Sequence, residues 1–184
     1  MVGKNLEQIL KEKWLRLGLS TLDEKGYEYI KIADLCKQLN VTKGAFYYWF
    51  KSKQEFDSCL LEAWRSSFTQ QFIAFSSSGQ SSQEKLSLLV TRCIEGLEKS
   101  SRLEIEINMW AQKDQKVNQF VQQVYQQRLS YLMDLLSDIY SPVEAKRHSL
   151  MLYCLLIGCD LFFRQLTRQE AELIFRDYLL KVEQ

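Results

Sequence analysis

Turn-forming residues are scarce in this chain. Pro142 is its one proline, and glycine occurs seven times in 184 residues. Average proline usage is about 5%, and all-β folds need Gly/Pro turns between many short strands. An all-α fold is therefore expected. With 46% apolar and 26% charged residues, the chain is neither disordered nor low-complexity. Its length suits one domain, or a small module joined to a medium one.

Helix starts recur along the sequence. Ser52-x-x-Glu55, Ser81-x-x-Glu84, Ser141-x-x-Glu144 and Thr167-x-x-Glu170 have capping-box spacing, in which the hydroxyl accepts from the third helical amide and the glutamate reaches back. Pro142 suits a first helical position. Asn5 with Gln8 is a weaker start, and Thr21-x-x-Glu24 falls inside a continuous helix. Together with apolar spacing, these signals predict about nine helices: 5–25, 31–39, 42–49, 52–75, 82–100, 102–114, 116–140, 142–165 and 168–182. Leu6, Ile9, Leu10, Leu17 and Leu22 should face inward on the first, which stops at Gly26. Residues 76–82, SSSGQSS, read as a loop. Residues 103–110, LEIEINMW, alternate as a strand would, yet Leu103, Ile107 and Trp110 share a helix face. Helix is preferred because no partner strand is apparent. Gln112, Gln115, Gln119, Gln122, Gln123, Gln126 and Gln127 should form a solvated face.

Charge is uneven. Residues 1–55 hold ten Lys/Arg against seven Asp/Glu, and the remainder fourteen against sixteen. A mildly basic front is compatible with nucleic-acid binding. The five cysteines form no CxxC, their number is odd, and no apolar signal segment precedes them, so reduced thiols and a cytoplasmic location are expected. His148 is the only histidine, which excludes a multi-His metal site. No catalytic constellation, cofactor motif or phosphate-cradling glycine loop is present, so neither an enzyme nor a cofactor is expected. Residues 149–163, SLMLYCLLIGCDLFF, are too few to span a bilayer and are broken by Asp160. They read as a buried helix.

The chemistry points to residues 26–56, GYEYIKIADLCKQLNVTKGAFYYWFKSKQEF. Two short helices flank Leu39-Asn40-Val41 in helix-turn-helix fashion. Asn40 tolerates the left-handed conformation that ends a helix, and Thr42 should cap the next. The small residues Gly44 and Ala45 allow close approach to a groove. Lys43 and Tyr48 can reach base edges, Ala45 a thymine methyl, and Lys53 the backbone. Tyr47-Tyr48-Trp49-Phe50 cannot all face inward on a helix, so some aromatics must be exposed beside the lysines.

Gly26-Tyr27, Ile32, Leu35, Val41-Thr42-Lys43-Gly44-Ala45-Phe46-Tyr47, Phe50, Ser52-Lys53 and Phe56 resemble the DNA-binding domain of TetR-family transcriptional regulators over about 50 residues. The resemblance implies an all-α dimer, usually a repressor. Its helix-turn-helix domain of three helices would span residues 1–52, and a helical effector-binding and dimerisation bundle residues 53–184. A small-molecule effector in the bundle would release the DNA operator, which should be palindromic. By the same resemblance, Thr42, Gly44, Tyr47 and Lys53 correspond to phosphate contacts. Lys43, Ala45 and Tyr48 correspond to base-facing positions, Trp49 to the backbone edge, and Phe46 and Phe50 to core. Three residues depart from the pattern. Lys31 replaces a capping Thr or Ser but can still contact phosphate, while Asn40 and Leu39 replace glycine and alanine.

In the bundle, Leu152, Leu155, Leu156, Cys159, Phe162, Phe163, Leu173 and Ile174 exceed what one buried face needs. They read as an isologous homodimer interface, which the resemblance also implies. Phe68, Phe72, Cys93, Leu97, Met109, Trp110, Tyr125 and Tyr131 are candidate effector-lining residues, suited to a small, largely apolar ligand. The alternative is a helical carrier or sensor of the same fold that binds no DNA.

Overall fold

The computed structural model describes residues 2–97, 102–162 and 167–182, with side chains for 10–96, 102–159 and 167–178. Among these there is no strand. The helices are α1 (Val2–Lys25), α2 (Ile32–Leu39), α3 (Lys43–Trp49), α4 (Lys53–Arg65), α5 (Gln71–Ser76), α6 (Ser82–Leu97), α7 (Leu103–Lys113), α8 (Gln115–Ser137), α9 (Pro142–Phe162) and α10 (Arg168–Val182). A 3-10 turn covers Tyr27–Tyr29, and a π turn, Ser66–Gln70, runs from α4 into α5. With α4 to α5 counted as one run, the described residues form the nine helices expected.

Capping chemistry sets several of these starts. Ser52 Oγ accepts from Glu55 N at 3.1 Å, and the Glu55 carboxylate accepts from Lys51 N at 2.8 Å. Ser81, Glu84 and Gln80 repeat that arrangement. In both boxes the glutamate satisfies the amide before the cap, one residue earlier than the motif implies. At Thr167 the glutamate takes the cap's own amide. At Ser141 the hydroxyl donates to Glu144. Thr21 lies within α1, where its hydroxyl donates to Leu17 O.

The chain divides into two compact units, Met1–Ser66 with Arg102–Val121, and Ser67–Ser101 with Gln122–Gln184. The core of the first is aromatic. Trp14, Phe46, Phe50, Phe56 and Trp64 are buried. The Phe46 ring lies 5.5 Å from Trp14, 5.2 Å from Phe50 and 5.5 Å from Phe56. Gly18 lets α1 approach α4, since a Cβ there would stand 2.8 Å from Leu60 and Phe56 carbons. Trp14, Gly18 and Leu22 form the buried stripe of α1 at helical spacing. Leu10, one turn beyond Trp14, is 39% exposed rather than inward, because it lies past the end of that stripe. Leu6 and Ile9 fall outside the described side chains. In α7, Leu103, Ile107 and Trp110 are buried together, as a helix and not a strand requires.

In the second unit, Leu86, Leu89, Val90 and Ile94 of α6 pack with Leu132, Leu135 and Leu136 of α8, Leu152 of α9 and Phe175 of α10. Polar ties fasten the edges: Ser82 Oγ donates to Asp138, and Arg128 Nε donates to Thr69 Oγ1 at 2.9 Å. His148 stacks on Tyr140 at 4.4 Å, and the Tyr178 hydroxyl donates to the His148 carbonyl. Burial pushes that hydroxyl up to about 12. All seven glutamines from Gln112 to Gln127 are exposed.

Candidate nucleic-acid interface

The helix-turn-helix is built by α2, Asn40–Thr42 and α3. Leu35 and Cys36 bury one side of α2. Asn40 takes φ 54°, ψ 48°, the left-handed conformation that asparagine accepts more readily than most residues. Its amide donates to Lys37 O and that of Val41 to Cys36 O, closing α2. Cys36 Sγ approaches Thr42 O at 3.6 Å. Thr42 stands at the cap of α3 in extended conformation, but its side chain makes no capping bond. The turn already orients the helix, so the threonine places a hydroxyl at the start of α3 without closing a cap there. Lys31 likewise caps α2 by backbone position only and is exposed.

Phe46 and Phe50 anchor α3 in the core. Lys43, Gly44, Tyr47 and Tyr48 then fall on the opposite side and are exposed, Tyr47 by 53% and Tyr48 by 70%. Ala45 and Trp49 are half-buried at the edges of that stripe. The Tyr48 ring meets Trp49 edge to face at 4.8 Å. A Cβ on Gly44 would meet only Thr42 Oγ1, at 3.5 Å. The fold itself therefore does not require glycine there, whereas close approach of another backbone does.

Lys53 is engaged within the protein. Its Nζ donates to Asp57 Oδ1 at 2.5 Å and to the Tyr27 hydroxyl at 3.2 Å, and the Tyr27 hydroxyl donates to Asp57 Oδ2 at 2.8 Å. The ammonium also lies 4.5 Å from the centre of the Tyr27 ring. Tyr27 in turn stacks on Trp110 of α7, 3.9 Å between rings. Burial first, then the hydrogen bond to Asp57, drives the Tyr27 phenol well above the ordinary tyrosine range, so it stays a neutral donor. The i,i+4 spacing of Lys53 and Asp57 was readable in the sequence, but nothing local pointed to Tyr27.

The effector-lining candidates do not all fall together. Phe72, Cys93 and Tyr131 pack against the core of the second unit, and the Tyr131 hydroxyl bonds Ser76. Phe68 is exposed beside Phe72, and Tyr125 meets Tyr153 at 5.9 Å. Met109 and Trp110 belong to the first unit, where Met109 is exposed and Trp110 is committed to Tyr27. The side chain of Leu97 is outside the described residues. Among the dimer candidates, Leu152 and Cys159 are buried in their own unit's core. Leu155 and Leu156 pack partly against that core, Leu173 is exposed and Ile174 half-buried. The side chain of Phe162, and Phe163 as a whole, lie outside the described residues. No group of three or more His, Cys, Asp or Glu among the described residues could hold a metal ion. No helix among them is long and apolar enough to cross a membrane.

Two short helices anchored by buried aromatics and presenting lysine and tyrosine outward define the class: a helix-turn-helix domain. Residues 15–56 match the family described as bacterial regulatory proteins, tetR family. The transcriptional regulator AcuR of Cereibacter sphaeroides is 38% identical over 56 residues, which are 30% of this chain and 26% of that protein. The chain thus spans about a quarter of the length of that curated relative. A TetR-family transcriptional regulator from Streptomyces coelicolor shares the fold with TM-score 0.79 and 14% identity, covering 93% of this chain and 92% of its own. FadR of Bacillus subtilis, in complex with stearoyl-CoA, does so with TM-score 0.70 and 15% identity, over 93% and 96%. Residues 15–56 thus carry a helix-turn-helix segment of the tetR family, and the chain as a whole shares the fold of these solved regulators.

Proposed function

We propose that this protein is a TetR-family transcriptional regulator, a cytoplasmic repressor that binds a palindromic operator as a homodimer and is released by a small, largely apolar effector. Residues 1–52 would be the DNA-binding part and residues 53–184 the effector and dimerisation part. The observation that carries the reading is the exposed stripe Lys43, Gly44, Tyr47 and Tyr48 over buried Phe46 and Phe50. Lys43, Ala45 and Tyr48 would meet base edges. Lys31, Thr42, Gly44 and Tyr47 would meet phosphates, with Trp49 at the backbone edge. That FadR, a neighbour in fold, holds stearoyl-CoA supports an apolar effector here. Such a ligand acts only by favouring the conformer whose reading helices misfit the operator.

The test is a salt titration of the purified protein on DNA from upstream of its own gene beside a scrambled duplex. Expected is a dissociation constant of about 10⁻⁸–10⁻¹¹ M on the specific site, weakening steeply with salt. Tyr48→Ala should cost about 1–3 kcal/mol on that site and much less on random DNA. Equal, salt-insensitive binding to both duplexes would favour the carrier that does not bind DNA.

The dimer face is inferred from residues left outside the core. Leu150, Met151 and Cys154 on α9 and Leu173 on α10 are exposed. Met151→Glu should give a monomer by light scattering and a sharp loss of operator affinity, since paired half-sites about 34–36 Å apart need two heads. A variant that stays dimeric moves the interface elsewhere.

A further inference from the structure

The geometry points to Asp57 as a residue that withholds Lys53 from the DNA backbone and so sets how strongly this head responds to salt. The inference rests on the DNA-binding reading above. Lys53 opens α4 directly after the reading helix, in the position from which a lysine can reach phosphate. Here, however, the ammonium is held on two sides, by the Asp57 carboxylate and the Tyr27 hydroxyl, with the Tyr27 ring against it. The Lys53 side chain is 26% exposed and that of Asp57 13%. Asp57 is one helical turn away on the same element, so it is always at hand, whereas a phosphate must arrive and compete. Release of Lys53 would strand a carboxylate that is largely out of water, an expensive state unless the carboxylate finds another cation. Tyr27 closes the ring by donating to the second carboxylate oxygen, and its stack on Trp110 fixes where it stands. The pair carries no net charge. Lys43 and Lys31, whose described surroundings leave them exposed, carry the electrostatic work instead.

The test compares wild type, Lys53→Gln, Asp57→Asn and the double variant, each as the full chain. Affinity is measured against salt on the upstream duplex and on a random-sequence duplex, because phosphate contacts act on both. Asparagine preserves size and an oxygen for Tyr27. Expected is no change of slope in Lys53→Gln. In Asp57→Asn the slope of log affinity against log salt steepens by about one on both duplexes. The double variant returns to the Lys53→Gln value. If wild type binds and Lys53→Gln flattens the slope by about one, Lys53 already sits on a phosphate and the inference is overturned. Asp57→Asn without steepening overturns it equally. If wild type shows no salt-dependent binding to either duplex, the DNA-binding reading fails and takes the inference with it. A measurement without DNA checks the cradle itself. The Lys53 ammonium should give a slowly exchanging nitrogen-detected NMR signal in wild type that is lost in Asp57→Asn, and its absence from wild type overturns the inference.

Discussion

Phe46→Ala should cost about 3–5 kcal/mol of stability, as truncation of a fully buried phenylalanine does. Against a total of about 5–15 kcal/mol for a folded domain, that loss is a large share of the stability available. The magnitude follows from position. The ring is fully buried and meets Trp14 edge-on at 5.5 Å, Phe50 at 5.2 Å and Phe56 at 5.5 Å. It joins α1, α3 and α4 at one point. Its removal leaves a cavity ringed by stiff aromatics, which collapse into it less readily than aliphatic chains would. Urea unfolding should show the midpoint fall. DNA binding should be lost with it, because Lys43 and Tyr48 keep their positions only while Phe46 is seated. Phe46→Leu should recover most of the stability, since it refills much of the volume. A Phe46→Ala loss below about 1 kcal/mol would mean that the aromatic cluster does not hold the head together.

The reading helix was legible because its signals are local. Asn40 in a turn, small residues at Gly44 and Ala45, and five aromatics in succession from Phe46 to Phe50 each constrain a few neighbouring residues. The structure meets them with a left-handed Asn40 and exposed Tyr47 and Tyr48. Capping residues marked helix starts for the same reason, since a hydroxyl and a glutamate three residues on interact within one turn. What escaped was long-range. Tyr27 on Trp110 joins positions 83 residues apart in the sequence, and no periodicity encodes that partnership. Lys53 read as a phosphate ligand because it opens the helix after α3 and matches a phosphate-contacting position in the family resemblance. Its hold by Asp57 is local, but the tyrosine that completes the cradle comes from before α2. Leu152 and Cys159 read as interface candidates because of an excess of apolar residues on α9, and both pack in the core of their own unit. The helix is apolar nearly all round, so composition cannot separate its core side from a side offered to a partner. Only neighbours decide: Leu152 meets the core, while Leu150 and Met151 do not.

Gly26→Val should cost at least about 2–3 kcal/mol, for two separable reasons. Gly26 has φ 95° and ψ 169°, a conformation essentially confined to glycine, in which a residue with a side chain is strained by about 1–3 kcal/mol. A Cβ there would also stand 2.8 Å from Glu106 Oε2. That carboxylate cannot simply swing away, because it is buried and paired with Arg102 at 2.6 Å. The glycine also ends α1, its amide donating to Leu22 O at 2.9 Å, and it sets the direction in which Tyr27 leaves. A valine at position 26 should therefore disturb Tyr27 on Trp110, and with it the cradle around Lys53. Glu106→Ala separates the two causes. It removes the oxygen that the new side chain meets but leaves the backbone strain. The cost of Gly26→Val measured in the Glu106→Ala background should be smaller than in wild type by the steric share, a coupling of about 0.5–3 kcal/mol. Equal costs in both backgrounds would assign the whole effect to the backbone. A Gly26→Val protein as stable as wild type by urea unfolding would show that the chain can leave this conformation freely, and that Tyr27 is not held in place by the turn before it.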